Sequence, residues 1–133
     1  MKENNIIGTP ESLAGKKILV VDDNIMNRMV ANIILQGFNV LVFEAANGKD
    51  AVNFIENNQC DLILMDLQMP VMDGYKASET IRKELKLDTP IIALTASDID
   101  EDKEKCFEVG MNDYLYKPFE KEQFLKIICN WLH

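Results

Sequence analysis

Apolar residues fall into two rhythms along this chain. Five short runs are nearly unbroken: Lys17-Ile18-Leu19-Val20-Val21, Val40-Leu41-Val42-Phe43, Leu62-Ile63-Leu64-Met65, Ile91-Ile92-Ala93-Leu94 and Tyr114-Leu115-Tyr116. Runs this short, bounded by Asp, Pro, Gly or Lys, predict strands of a parallel sheet covered on both faces. Between the runs, apolar residues recur every three or four positions. Met26, Met29, Val30, Ile33 and Ile34 mark a first helix, capped by Asn24 and ended at Gly37. Ala51, Val52 and Ile55 face inward on a second, which Asn47-Gly48 opens and which runs to about Asn57. A third helix opens at Asp73-Gly74 and runs to about Leu85. Asp98 and Glu101 have capping-box spacing for a fourth, which stops at Gly110 and whose apolar face is thin, mainly Cys106 and Val109. Phe124, Ile127, Ile128 and Trp131 form the apolar face of the last helix.

Strand and helix alternate five times, with no repeat and no low-complexity segment. Alternation of this kind implies an α/β fold with a parallel sheet, right-handed crossovers and helices on both faces. Residues 1–15, with Gly8, Thr9-Pro10 and Gly15, show no period and read as a linker or tail; residues 16–133 read as one domain.

The net charge of −8 disfavours direct binding to nucleic acid and raises the question of whether some of the acid is clustered around a cation. No apolar run approaches the ~20 residues of a membrane span, and the first residues do not resemble a signal peptide, so a cytoplasmic location is expected. Cys60, Cys106 and Cys129 lack CxxC spacing and are odd in number, which suits reduced thiols. The only histidine is His133, so neither a triad, a zinc site nor an internal phosphohistidine is available.

The residues that end the strands carry the chemistry. Strand 1 runs into Asp22-Asp23, strand 3 into Asp66, strand 4 ends in Thr95, and strand 5 runs into Lys117-Pro118. In a parallel sheet these ends share one edge, where ligands of open α/β folds collect. Three carboxylates brought together repel, so either one stays protonated or a divalent cation joins them. Oxygen ligands without histidine favour Mg²⁺ over zinc. A lysine and a hydroxyl at the same edge suit the oxygens of a phosphoryl group. Singly, each feature has a commoner explanation: Asp-Asp as a turn and cap, Thr95 as β-propensity, Lys-Pro as an ordinary loop. Their coincidence at four strand ends is the signal.

With these segments in place, the sequence resembles the receiver domains of two-component response regulators over about residues 16–132. The resemblance rests on Ile18-Leu19-Val20-Val21-Asp22-Asp23-Asn24, Met65-Asp66-Leu67-Gln68-Met69-Pro70-Val71-Met72-Asp73-Gly74, Ala93-Leu94-Thr95-Ala96 and Tyr116-Lys117-Pro118-Phe119. Asn27-Arg28, Leu67-Gln68-Met69-Pro70 and Gly110-Met111-Asn112-Asp113-Tyr114 are most similar to receivers attached to hybrid histidine kinases. The resemblance implies a flavodoxin-like (βα)5 three-layer sandwich, with the five-stranded parallel sheet in order 2-1-3-4-5. It implies that helices 1 and 5 cover one face and helices 2, 3 and 4 the other, and that Lys117–Pro118 is cis. It further implies that Asp66 is the phosphoacceptor, and that Asp23, Asp66 and the Gln68 backbone carbonyl bind Mg²⁺, or Mn²⁺, with Asp22 helping through water. Lys117 would pair with Asp66 and then with the phosphoryl group, Thr95 would bond a phosphoryl oxygen, and Tyr114 would be an aromatic switch acting on the surface of helix 4, strand 5 and helix 5. The implied partner is a histidine kinase or a histidine phosphotransfer domain, outside this chain because His133 stands alone. The isolated domain would not be an enzyme beyond accepting and losing its own phosphoryl group. Against an aspartyl-nucleophile phosphatase, Gln68 stands where such enzymes carry a second acid. Against a phosphorylation-independent binding module, no acid, lysine or acceptor has been lost.

Overall fold

The computed structural model describes residues 10–96 and 100–132. The proposed cap Asp98 and the terminal His133 lie outside the described residues. The chain runs β1 (Lys17–Val21), α1 (Ile25–Gln36), β2 (Leu41–Ala45), α2 (Gly48–Asn57), β3 (Leu62–Asp66), α3 (Gly74–Lys83), β4 (Ile91–Thr95), α4 (Asp100–Glu108), β5 (Asp113–Tyr116) and α5 (Lys121–Trp131), after a 3₁₀ turn at Pro10–Leu13. The strands form one parallel sheet in the order β2-β1-β3-β4-β5.

Alternation along the strands divides the core in two. Ile18, Val20, Leu62, Leu64, Ile92, Leu94 and Leu115 point to the side where Ala31 and Leu35 of α1 and Phe124, Ile128 and Cys129 of α5 pack. Leu19, Val21, Ile63, Met65, Ile91 and Ala93 point to the other, against Ala51, Val52 and Ile55 of α2, Ala77 and Ile81 of α3, and Cys106 of α4. β3 and β4 are buried at every position, as the central strands of a doubly covered sheet must be.

The structure adds three particulars to the sequence pattern. Strand 2 runs one or two residues later than its apolar run, through Glu44 and Ala45. Leu13, within the stretch read as a linker or tail, is fully buried in the α1/α5 layer. The largest difference is in α1. Met26, Met29, Val30 and Ile33 are 61%, 48%, 40% and 69% exposed, and Ile25 is 61% exposed. The small Ala31 and the single Leu35 make the close approach to the sheet, and only Ile34 of the periodic stripe is half-buried against them. The stripe that marks α1 in the sequence therefore lies on its outer surface.

Candidate functional site

Parallel pairing brings the strand ends into one cleft. Val21 lies beside Met65, Asp66 beside Leu94, and Thr95 beside Tyr116, so Asp22, Asp66, Thr95 and Lys117 emerge from adjacent strands along one edge. Asp22, Asp23, Asp66, Gln68, Thr95 and Lys117 all line a cleft of about 450 Å³ there. Asn24 and Asn27 at the α1 end, Tyr75 of α3 and Asp102 of α4 also line it, together with Leu67, Leu94 and Ala96; none of these was a site residue in the sequence pattern.

Local structure explains how the loops reach the site. Asn24 Oδ1 accepts the backbone N–H groups of Met26 and Asn27 and starts α1 immediately after the acidic pair. Asp73 Oδ1 accepts the Lys76 N–H and starts α3. Gly74 packs directly on the backbone of Asp66, where a Cβ would collide with the carbonyl oxygen, and its N–H donates to Leu67 O at 3.0 Å. Val71, in the turn between β3 and α3, has φ of 69°, a left-handed conformation that β-branched residues rarely adopt. Lys117–Pro118 is cis.

The carboxylates differ in setting. Asp22 is fully buried: Oδ1 accepts the Asn24 N–H at 2.9 Å, and Oδ2 accepts Asn27 Nδ2 and Lys117 Nζ, each at 3.2 Å. Its backbone carbonyl accepts Arg28 Nη1 at 2.6 Å, while Arg28 Nε bonds Glu44 at 2.8 Å. Asp66 is 5% exposed, and its Oδ1 accepts Lys117 Nζ at 3.0 Å. Asp23 is exposed. One oxygen from each acid lies within 4.8 Å of the others. Burial pushes the Asp66 carboxyl up, the Lys117 hydrogen bond opposes this, and the charges of Asp22 and Asp23 add to it, leaving it at about 6. Burial presses the Lys117 ammonium down, but the hydrogen bond and charge of Asp66, with the charge of Asp22, raise it above the ordinary lysine value.

Thr95 is buried at the end of β4. Tyr114 is not among the cleft residues. It sits opposite Ala93, half-buried, with its ring edge-on to Phe107 at 6.2 Å and to Tyr116 at 5.6 Å. Lys103 Nζ lies 4.9 Å from its ring centre.

A buried acid tied to a lysine, flanked by two more acids at the carboxyl edge of a β2-β1-β3-β4-β5 sheet, is the arrangement of a signalling receiver. The response regulator receiver domain family matches residues 18–129, and the chain belongs to that family. The sensor protein GacS of Pseudomonas syringae pv. syringae is 36% identical over 129 residues, covering 94% of this chain and 14% of its own length. Hybrid signal transduction histidine kinase K of Dictyostelium discoideum is 37% identical over 120 residues, covering 84% of this chain and 10% of its own. The chain thus spans a small part of these kinases. Among solved structures, the receiver domain of the sensor histidine kinase PA1611 from Pseudomonas aeruginosa PAO1, with magnesium in its active-site cleft, is 42% identical with a TM-score of 0.81, over 90% of this chain and 98% of that one. The Saccharomyces cerevisiae complex of the histidine phosphotransfer protein Ypd1 with the Ssk1 receiver matches at 34% identity and a TM-score of 0.85, over 90% of each chain.

Proposed function

We propose that Asp66 accepts a phosphoryl group from a phosphohistidine on a histidine kinase or histidine phosphotransfer domain, and that the acyl phosphate switches the α4-β5-α5 surface. The observation that carries this is the Lys117 ammonium, held between Asp66 Oδ1 and Asp22 Oδ2 at the floor of an acidic cleft. An Asp66 oxygen attacks phosphorus, an O–P bond forms and the P–N bond to the imidazole breaks. The imidazole keeps the bonding pair and takes up a proton on returning to its neutral form. The chain's contribution is positioning and charge: little other chemistry is needed for a loose phosphoryl transfer.

The donor set fits Mg²⁺, or Mn²⁺. Asp23 is open to solvent, Asp66 is close by, and no histidine or cysteine lies in the cluster. Asp23, Asp66 and the Gln68 carbonyl would hold the ion, with Asp22, whose oxygens already take protein donors, assisting through water. When bound, the ion neutralises charge on the carboxylates and the phosphoryl oxygens. Lys117 then follows the phosphoryl group, and the Thr95 hydroxyl bonds one of its oxygens. That movement at the end of β4 leaves room for the Tyr114 ring to turn inward, and α4, with Cys106 as its single buried side chain, shifts with it.

The exposed side chains of Ile25, Met26, Met29 and Ile33 give the donor an apolar surface on the helix whose Asn24 and Asn27 border the cleft. The isolated domain acts as a switch, accepting and losing its phosphoryl group without turnover of a substrate. The hybrid-kinase relatives support a parent sensor histidine kinase, and three cysteines in thiol form suit a cytoplasmic setting. Intact-mass analysis after incubation with acetyl phosphate tests the reading. The parent protein gains one phosphoryl group in Mg²⁺ and none in EDTA, and Asp66→Asn gains none. Equal labelling in EDTA removes the metal from the reading, and equal labelling of Asp66→Asn removes the acceptor.

A further inference from the structure

The Lys117 ammonium serves two carboxylates, at 3.0 Å from Asp66 Oδ1 and 3.2 Å from Asp22 Oδ2. A phosphoryl group on Asp66 brings nearly two negative charges to its side of that pair. Lys117 is then drawn toward the new oxygens and away from Asp22. Asp22 is fully buried, so bulk solvent does not replace a donor that leaves it; apart from a water held on the metal, it depends on protein donors. Among the described residues Asn27 also reaches this oxygen: its Nδ2 donates to Asp22 Oδ2 at 3.2 Å.

Asn27 is well held for this task. It lies in the first turn of α1, its backbone N–H bonded to the Asn24 cap at 3.3 Å. Its neighbour Arg28 grips the Asp22 carbonyl at 2.6 Å and Glu44 of β2 at 2.8 Å, fixing the helix end against β1 and β2. The amide is therefore set against Asp22 before any reaction, and its order is not gained at the moment Lys117 moves. Its chemistry also suits the place. A second ammonium would compete for the phosphoryl group, and another carboxylate would add repulsion and offer no donor. A neutral amide supplies a hydrogen bond and no charge.

We infer that Asn27 is a positioning residue for phosphorylation: it keeps Asp22 Oδ2 bonded while Lys117 passes from the two carboxylates to the phosphoryl group on Asp66. This rests on Asp66 being the acceptor. In the resting protein Asn27 shares the oxygen with Lys117 and weakens the hold of Asp22 on the ammonium. In the phosphorylated protein it stays on that oxygen as a side-chain donor. Removing it ties Lys117 to Asp22 and disfavours the phosphorylated state.

The test is calorimetric titration of the parent, Asn27→Ala and Asn27→Asp, first with Mg²⁺ alone and then with beryllofluoride in saturating Mg²⁺. Asn27→Ala should bind Mg²⁺ within about twofold of the parent and beryllofluoride about tenfold more weakly, the scale of one hydrogen bond to a charged group. Asn27→Asp, which keeps the shape but not the donor, should bind Mg²⁺ at least as tightly as the parent and beryllofluoride no better than Asn27→Ala. A packing role would give the opposite order, with the isosteric Asp closer to the parent. The inference is overturned if Asn27→Ala binds beryllofluoride within about twofold of the parent. It is also overturned if both affinities fall by one common factor. A parent protein that binds Mg²⁺ but no beryllofluoride overturns the reading of Asp66 itself, and this inference with it.

Discussion

Replacing Asp66 by asparagine should stabilise the metal-free protein at neutral pH, although it removes the proposed acceptor. Asp66 is 5% exposed, and burial, together with the charges of Asp22 and Asp23, outweighs Lys117 to leave its carboxyl at about 6 against an ordinary 3.8. Between those values the folded protein holds a proton that the unfolded chain has released. Stability then falls as pH rises through this interval, and the cost is complete above about pH 6. The full interval corresponds to ~3 kcal/mol, an upper bound because one side of the carboxyl opens on the cleft. The substitution also weakens the Lys117 bond, worth ~1 kcal/mol, while Lys117 keeps Asp22. A net gain of ~1–2 kcal/mol follows at about pH 7.5, shrinking toward zero near pH 4.5. Urea unfolding in EDTA at several pH values, followed by the fluorescence of Trp131, measures it. Trp131 lies at the end of α5, bonded to Asp113 at 3.0 Å and away from the substitution. An Asp66→Asn protein less stable than the parent at neutral pH, or a difference that does not change with pH, would refute the electrostatic account.

Three further outcomes are expected. Thr95→Ala should still accept a phosphoryl group but lose the coupling to α4, so NMR shifts on α4 and β5 upon adding beryllofluoride and Mg²⁺ should shrink; shifts equal to those of the parent would break the proposed link. Gly74→Ala places a Cβ against the Asp66 carbonyl and should cost ~3 kcal/mol or prevent folding, read by urea denaturation, whereas a near-neutral result would mean that β3 and α3 can separate at little cost. Lys103 lies 4.9 Å from the Tyr114 ring centre and 5.4 Å from that of Tyr116, so Lys103→Gln should speed amide exchange on α4, and unchanged exchange would show that these cation–ring contacts do not hold the helix.

The sheet was readable because a strand buried on both faces leaves an unbroken apolar run, and β1, β3 and β4 are such strands. The same runs end in the charged residues, so the shared edge and the gathering of Asp22, Asp23, Asp66, Thr95 and Lys117 followed from strand direction alone. The helices were less transparent. Periodicity in α1 measures the width of an apolar stripe, not the side to which it turns, and here Ala31 and Leu35 pack inward while Met26, Met29 and Ile33 stay outside. β2, at the sheet edge, is only partly covered, so its apolar run was a poorer guide to its limits. Leu13 was hidden in a stretch with Gly and Pro and no period, because one buried side chain on a 3₁₀ turn leaves no repeat to detect. Asn27 and Arg28 stood out as wording, but their bonds to Asp22 depend on how α1 meets β1, which residue spacing does not encode.

The phosphoryl group is expected to reside on Asp66. Borohydride reduces an aspartyl phosphate to homoserine, so protein phosphorylated by a phosphohistidine donor in Mg²⁺, trapped this way and digested, can be sequenced by mass spectrometry. Homoserine is expected at position 66, dependent on both donor and Mg²⁺. Homoserine at position 22 or 23 with aspartate retained at 66, or no reduced residue in protein shown to carry phosphate, would contradict it.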